Sequence, residues 1–349
     1  MRYLIPYCAI ILSSSLFAKE LVQCVNKSIL MPQKLNPYGP ARCEGTDFSY
    51  SIDSTLVTDF KCETLKKIES GHQKVAEFYS FFSNEIKIKK SINLRDAFSS
   101  ADGIIIIPIS KYILDGKKMS LENLNSVWIH EISHHYFNKY LDQNFVAASD
   151  YISLFQKRSE LLLESKAYLN LPKKIDIICV VENNLQEELE SIYQKIDIIS
   201  DELQKINGNT FVDSFAVFWA PYHELVADFL TVLITDDLDT NKNAVAHSKS
   251  PVRWIEKGRL RSFYEKVEIA EVEKESDFHV QLSPVRSLLG EFLQKNEIRS
   301  IREKKILFHS VIEVISQHMN ESYHTFGRFN VKRDNTQLIE KIKKVLNII

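Results

Sequence analysis

Glycine and proline are scarce, at nine of each in 349 residues. Turn-rich all-β folds draw heavily on both, so their scarcity points to a mostly helical chain. A surplus of positive charge is also missing. Lys and Arg number 44 against 46 Asp and Glu, a formal net charge of -2. Nucleic-acid binders lean on a basic excess, so no nucleic-acid partner is expected. The sequence has no close Cys-x-x-Cys spacing of the zinc-knuckle kind, no Gly-rich phosphate loop, no nucleophile elbow and no Cys-His pairing. Internal repeats and low-complexity tracts are absent as well.

What is present is a large apolar fraction. Hydrophobic residues make up 44%, which is enough to bury a sizeable core and excludes disorder throughout. The first residues have the order of an export signal. Arg2 is followed by the apolar or small run Tyr3 to Phe17, and Ala18 is the candidate last residue before cleavage. Residues 1–18 are therefore expected to be a signal peptide, with the mature chain secreted or periplasmic. The alternative is an uncleaved membrane anchor. Leu21-Val22-Gln23-Cys24 matches a lipoprotein acylation site only loosely, because Gln23 stands where a small residue is usual. No second stretch is expected to be long enough to cross a bilayer. Loss of the signal removes Cys8 and leaves Cys24, Cys43, Cys62 and Cys179. Four cysteines in an oxidising compartment permit two disulfides in three connectivities; free buried thiols are the alternative.

Residues 19–58 read as irregular. A helical pattern follows from Cys62 to Phe82, then alternating Ile86, Ile88 and Ile92 as a strand, and Gly103 to Ser110 as a more buried strand. Ser120 can cap a helix over Leu121 to Leu141. A helix over Asp150–Asn170 precedes a seam of Leu185, Leu189, Ile192, Ile196, Ile199, Leu203 and Ile206, spaced alternately by four and three. Together they predict a helical hairpin over about 149–207, either an arm of the bundle or a docking seam (185–206) for a partner helix. Pro221 suits the first turn of a helix running to Thr235. Residues 236–252 read as loop, and the remainder to Ile349 as helical.

The string Val127-Trp128-Ile129-His130-Glu131-Ile132-Ser133-His134 carries the chemistry. It is H-E-x-x-H within a helical pattern. Spacing of i, i+4 sets His130 and His134 one turn apart on one face, where two imidazoles can bind one Zn²⁺. Glu131 would take a proton from the water that such a metal activates. His135 lies about 100° round the helix and is not expected to be a ligand. A third ligand is needed. The extension H-E-x-x-H-x-x-G-x-x-H is excluded by Phe137 and Tyr140.

Pro221-Tyr222-His223-Glu224-Leu225-Val226-Ala227-Asp228 supplies the other solution. Glu224 and Asp228 share a helix face whose neighbours are apolar, and buried acids need a cation or hydrogen bonds. Glu224 is the candidate third ligand. Asp228 can accept a hydrogen bond from the far ring nitrogen of His130. Tyr222 and His223 are candidates to line the cleft.

H-E-x-x-H followed by E-x-x-A-D resembles the gluzincin metallopeptidases, on His130, Glu131, His134, Glu224 and Asp228. The prenyl-protease and HtpX-like branch, with its minigluzincin relatives, adds a His-Pro-x-x-x-x-Arg element. His247 and Arg253 have that six-residue separation, with the proline at Pro251. The resemblance implies an α+β, predominantly α-helical fold. It would consist of a zincin-like catalytic domain over 59–255 with the hairpin inserted and a helical subdomain over 256–349. It further implies one zinc per chain, a peptide or protein substrate, and His247 or Arg253 as stabiliser of the tetrahedral oxyanion. The Ile104–Ile107 strand would offer an edge for an extended peptide. The activity implied is zinc-dependent hydrolysis of peptide bonds with Glu131 as general base. The alternatives are an exported helical protein that binds zinc or a partner helix without catalysis, and a scaffold in which the motif is coincidental. Membrane association is expected only if the N-terminal segment stays uncleaved.

Overall fold

The computed structural model describes residues 38–41, 50–53, 62–81, 87–90, 98–99, 104–107, 121–169, 185–207, 214–247 and 257–347. The signal segment 1–18, most of 19–58, Cys24, Cys43, Cys179 and Arg253 lie outside these residues. So do the side chains of Cys62 and His247, and with them any disulfide pairing.

Helices dominate the described residues. They are α1 (Cys62–Tyr79), α2 (Leu121–Asn144), α3 (Val146–Leu169), α4 (Leu185–Asn207), α5 (Ser214–Thr235) and α6 (Thr240–His247). A 3-10 turn, Gly258–Arg261, leads to α7 (Ile269–Val272), α8 (Ser283–Lys295), α9 (Ile301–Phe326) and α10 (Val331–Leu346). Five short strands pair through their backbones: β1 (Tyr38–Ala41), β2 (Tyr50–Asp53), β3 (Lys87–Lys90), β4 (Phe98–Ser99) and β5 (Ile104–Ile107). Their order is β1-β2-β3-β5-β4, with β3 parallel to β5 and β4 antiparallel to it. The Ile104–Ile107 strand is therefore not the edge that the sequence led us to expect. Phe98–Ser99 pairs along its outer side and takes the edge position, next to α2.

Helix α2 is the axis of the molecule. It packs against α1, α3, α5 and α6 at once. Trp128, Ile129, Ile132, Tyr136, Phe137 and Leu141 are all buried, so the helix is apolar around most of its circumference, as a central helix must be. Gly71 of α1 lets that helix close on α2, since a Cβ there would lie 3.2 Å from Asn125 Oδ1 and 3.3 Å from an Ile129 side-chain carbon. The heptad seam of α4 is buried at Ile192, Ile196, Ile199 and Leu203, and α4 packs on α3. Arg158 Nε donates to Ser200 Oγ across that hairpin at 3.0 Å.

Two local readings change. Pro221 sits inside α5, which begins seven residues earlier at Ser214. Proline removes one helical hydrogen bond, to the carbonyl of residue 217. Val217 is 54% exposed, so solvent is available to that carbonyl. Residues 240–247 form α6 rather than loop. Thr240 Oγ1 donates to Ser126 Oγ of α2 at 2.7 Å, and Asn241 Nδ2 to the Asp228 carbonyl at 3.2 Å. These tertiary contacts outweigh a local sequence with little helical bias. The segment Val217–Thr235 is also long and apolar enough, with a mean hydropathy of 1.3, to pass as a bilayer span. Yet 83% of it is buried inside the protein, and it serves as a core helix.

One continuous core joins α1, α2, α5, α8, α9 and α10. Gly290 of α8 allows a backbone contact that no other residue would permit. A Cβ at 290 would lie 1.6 Å from the Phe263 carbonyl oxygen. This draws α8, in which Arg286 stands one turn before Gly290, against the segment just after Arg261. Helix α9 starts with a reciprocal capping box between Ser300 and Glu303 and stops at Gly327, whose φ is 63°.

Helices α9 and α10 share a buried polar centre. Asp334 accepts from Ser322 Oγ at 2.7 Å, the Asn330 backbone N–H at 2.6 Å and Arg333 Nη2 at 2.7 Å, and lies 3.2 Å from His318 Nε2. Burial alone would raise the Asp334 pKa. Its hydrogen bonds outweigh burial and hold it below the ordinary carboxylate range. A depressed carboxyl stabilises the fold above its unfolded pKa of about 3.9, and that contribution is lost as pH falls through the folded value. Asp334→Asn is expected to cost about 3 kcal/mol at neutral pH. The gap between the two proteins in urea midpoint should narrow steadily below about pH 4.

Candidate metal centre

The centre lies where α2 crosses α5. The i, i+4 spacing brings His130 and His134 onto the α5 side of α2, their rings 4.6 Å apart at 86°. Their Nε2 atoms converge to 3.0 Å. Glu224 of α5 faces both, with Oε2 3.3 Å from His130 Nε2 and Oε1 3.3 Å from His134 Nε2. Donor atoms of these three buried residues all lie within 4.8 Å of one another. Among the described residues they form the one cluster of three or more such donors able to hold a metal ion.

The donor set fits a small divalent cation. Ligands at 2.0–2.1 Å around a tetrahedral ion are separated by about 3.3 Å; each imidazole stands at that distance from one oxygen of Glu224, His130 from Oε2 and His134 from Oε1. The chemistry of the surroundings agrees. Three buried carboxylates, Glu131, Glu224 and Asp228, face two guanidiniums, the half-buried Arg261 and the buried Arg286. Burial by itself would lower the His130 pKa, but Glu224 and Asp228 lift it to about 9. The carboxylates thus favour positive charge at His130. Burial would likewise raise the Glu224 pKa, but His279, His134 and His130 hold it well below the usual range.

Asp228 fixes the orientation of His130. Its Oδ1 lies in ion-pair contact with His130 Nδ1 at 3.0 Å, and Nε2 of the same ring faces Glu224 and His134. Asp228 itself has no solvent contact. Arg286 of α8 reaches its Oδ2 through Nε at 2.9 Å and Nη2 at 2.8 Å. Arg261 reaches Oδ1 through Nη2 at 2.6 Å and Oδ2 through Nε at 3.3 Å. Burial would raise the Asp228 pKa; the two arginines and His130 drive it far down instead.

Glu131 is also buried, and burial raises its pKa, an effect partly opposed by His130 and His134. Its Oε2 has no partner within the protein. A buried carboxylate oxygen left open beside two imidazoles is a place for water or a ligand.

The other expected residues fall differently. His247 closes α6, but its side chain, like all of Arg253, lies outside the described residues. His135 is buried against Tyr136, apart from the cluster. Tyr222 does not line the cleft. It is fully buried and packs on Phe218, His318 and Phe329, because position 222 turns toward α9 when Glu224 turns toward α2. His223 stacks on His134 with centroids 5.7 Å apart, enclosed by Phe137 and Trp219.

Three polar residues at the centre are not in the sequence motif: Arg261, Arg286 and His279. Imidazole Nε2 of His279 is 3.7 Å from Glu224 Oε1, while its Nδ1 is 2.8 Å from Asp277 Oδ1. The nearby Asp277-x-His279 pair and the apolar run around Arg286 were the signals available. A charged group flanked by Pro284, Val285, Leu288 and Leu289 calls for a buried partner, by the same logic that singled out Asp228.

Comparison of the chain with known protein families, with curated proteins and with solved structures returns no match. The arrangement of side chains thus carries the functional reading. Replacing Glu224 with Ala is expected to abolish stoichiometric divalent-metal binding, measured by elemental analysis after dialysis. Undiminished metal content in that variant would move the third ligand elsewhere.

Proposed function

We propose that this chain is an exported zinc metallopeptidase, secreted or periplasmic, that hydrolyses peptide bonds at the His130–His134–Glu224 centre. The observation that carries the reading is the spacing of those three donors, with the unpartnered carboxylate of Glu131 one residue from the first of them. The zincin-like α+β class, the catalytic span 59–255 with α3 and α4 as an insertion, and the helical subdomain from 256 belong to the same proposal.

When bound, zinc supplies a Lewis acid that acidifies water and polarises the scissile carbonyl. The chain's own residues do the rest. His130, His134 and Glu224 would hold the ion, and Asp228, 3.0 Å from His130 Nδ1, would keep that ring turned so that its Nε2 is free to ligate. Glu131 accepts a proton as the water oxygen bonds to the carbonyl carbon. It returns that proton to the amide nitrogen as the C–N bond breaks, and the raised pKa that burial gives it suits both transfers.

His279 is a further candidate, beside His247 and Arg253, for stabilising the tetrahedral oxyanion. Asp277 holds its Nδ1 and its Nε2 is turned toward Glu224 Oε1 at 3.7 Å, so in its doubly protonated form the ring would set an Nε2–H beside the oxyanion. The backbone edge at β4, next to α2, is the better-placed strand for an extended peptide.

The rival reading is a zinc held for folding, which needs a fourth protein donor. His279 is the nearest candidate, but it is not a member of the three-donor cluster. Among the described residues the cluster has three protein donors, one fewer than a zinc held for folding takes, and this supports the catalytic reading.

Glu131→Gln is expected to abolish hydrolysis of a peptide library while keeping about one zinc per chain. Retained turnover would refute the assigned base. His279→Ala should keep zinc and the substrate KM but lower kcat by about 10²- to 10³-fold. If kcat is unchanged, the oxyanion donor is another group.

A further inference from the structure

We propose that Arg261 is a positioning residue that sets divalent-metal affinity, by fixing the rotation of the Asp228 carboxylate beneath His130. The inference rests on the metal reading above and assigns a role to a residue outside the H-E-x-x-H and E-x-x-A-D motifs.

The two arginines on Asp228 are not equivalent. Arg286 directs both of its contacts to Oδ2. One hydrogen bond from Nε and an ion-pair contact from Nη2, both on the same oxygen, anchor that oxygen but leave the other free to swing about the Cβ–Cγ bond. Arg261 spans the carboxylate, with Nη2 on Oδ1 and Nε on Oδ2. Oδ1 is the oxygen that receives His130 Nδ1. The Arg261 fork therefore sets the direction in which the accepting lone pair points, and with it the plane of the first imidazole. The same Nη2 lies 3.5 Å from Glu224 Oε2, so one guanidinium touches both the supporting acid and the proposed ligand.

The backbone that carries Arg261 is itself tied down. Leu260 is buried, Ser262 N donates to the Arg259 carbonyl at 3.1 Å, and Phe263 N donates to the Leu238 carbonyl at 2.9 Å. Ser262 Oγ donates to Asp239, and Gly290 admits α8 against Phe263. Anchors on both sides of a short 3-10 turn give the guanidinium a fixed origin. Arg261 is also the more accessible of the pair, with its side chain 15% exposed against 0% for Arg286, so it can be replaced with less damage to the core.

A purely electrostatic role predicts the opposite sign. A cation beside a dication site repels the metal, so its removal would tighten binding. Lysine separates the two, since it keeps the charge and loses the planar fork. The test uses the full chain, stripped of metal and titrated with Zn²⁺ against a chromophoric chelator, as wild type, Arg261→Met and Arg261→Lys. The visible spectrum of each Co²⁺-loaded protein and its melting temperature are recorded alongside. Both variants are expected to bind Zn²⁺ about 10- to 100-fold more weakly and to show altered Co²⁺ bands, with lysine giving no rescue. Wild-type affinity in Arg261→Lys, or equal or tighter binding in Arg261→Met, would overturn the proposal. So would a lowered melting temperature with unchanged affinity and spectrum. If Arg261→Met fails to fold, the lysine variant decides. A wild-type chain that takes up no stoichiometric Zn²⁺ would instead bring down the metal reading itself.

Discussion

Asp228 is a carboxylate removed completely from water, and it must be ionised to hold His130 in place. Taking such a charge out of solvent costs several kcal/mol unless it is fully paired. The chain meets that cost with two guanidiniums brought from segments 33 and 58 residues further along. This requirement organises the C-terminal region around the centre. The turn at Gly258–Arg261 and helix α8 each deliver one arginine, and Gly290 permits the backbone approach that brings them together.

The same pairing makes the centre rigid. His130 and His134 project from a helix packed on four neighbours, and Glu224 projects from a core helix. Neither helix can rotate without disrupting a close-packed interior. Two residues before Glu224, Tyr222 packs into the α9–α10 layer beside His318 and Phe329, so the helix that carries Glu224 is held from its far side as well. Ligands mounted on rigid helices and supported by a second layer of hydrogen bonds are what a preorganised metal site requires.

Much of this centre was legible in the sequence, because its inner parts follow from helical periodicity. The i, i+4 spacing of His130 and His134, and of Glu224 and Asp228, fixes a shared face whatever the rest of the chain does. The apolar neighbours of Glu224 and Asp228 announced that these acids are buried. The outer parts were not legible. His279 comes from a connection between short elements, and Arg261 from a single 3-10 turn, where no periodicity dictates direction. The family resemblance drew attention to His247 and Arg253, and the side chain of the first and the whole of the second lie outside the described residues. The limits of α5 and α6 were missed for a related reason. Local propensity argues for a start at Pro221 and against a helix over 240–247, and only long-range contacts reverse both. The hairpin seam, by contrast, has a strong enough period that Ile192, Ile196, Ile199 and Leu203 could be listed together as one face, and they are buried together.

X-ray absorption at the zinc edge of the loaded protein tests the central claim most directly. The account predicts two imidazole nitrogens, one carboxylate oxygen and one solvent oxygen at about 2.0–2.2 Å. A shell of four protein donors, with a third imidazole from His279, would contradict it, as would a protein that retains no zinc to be measured.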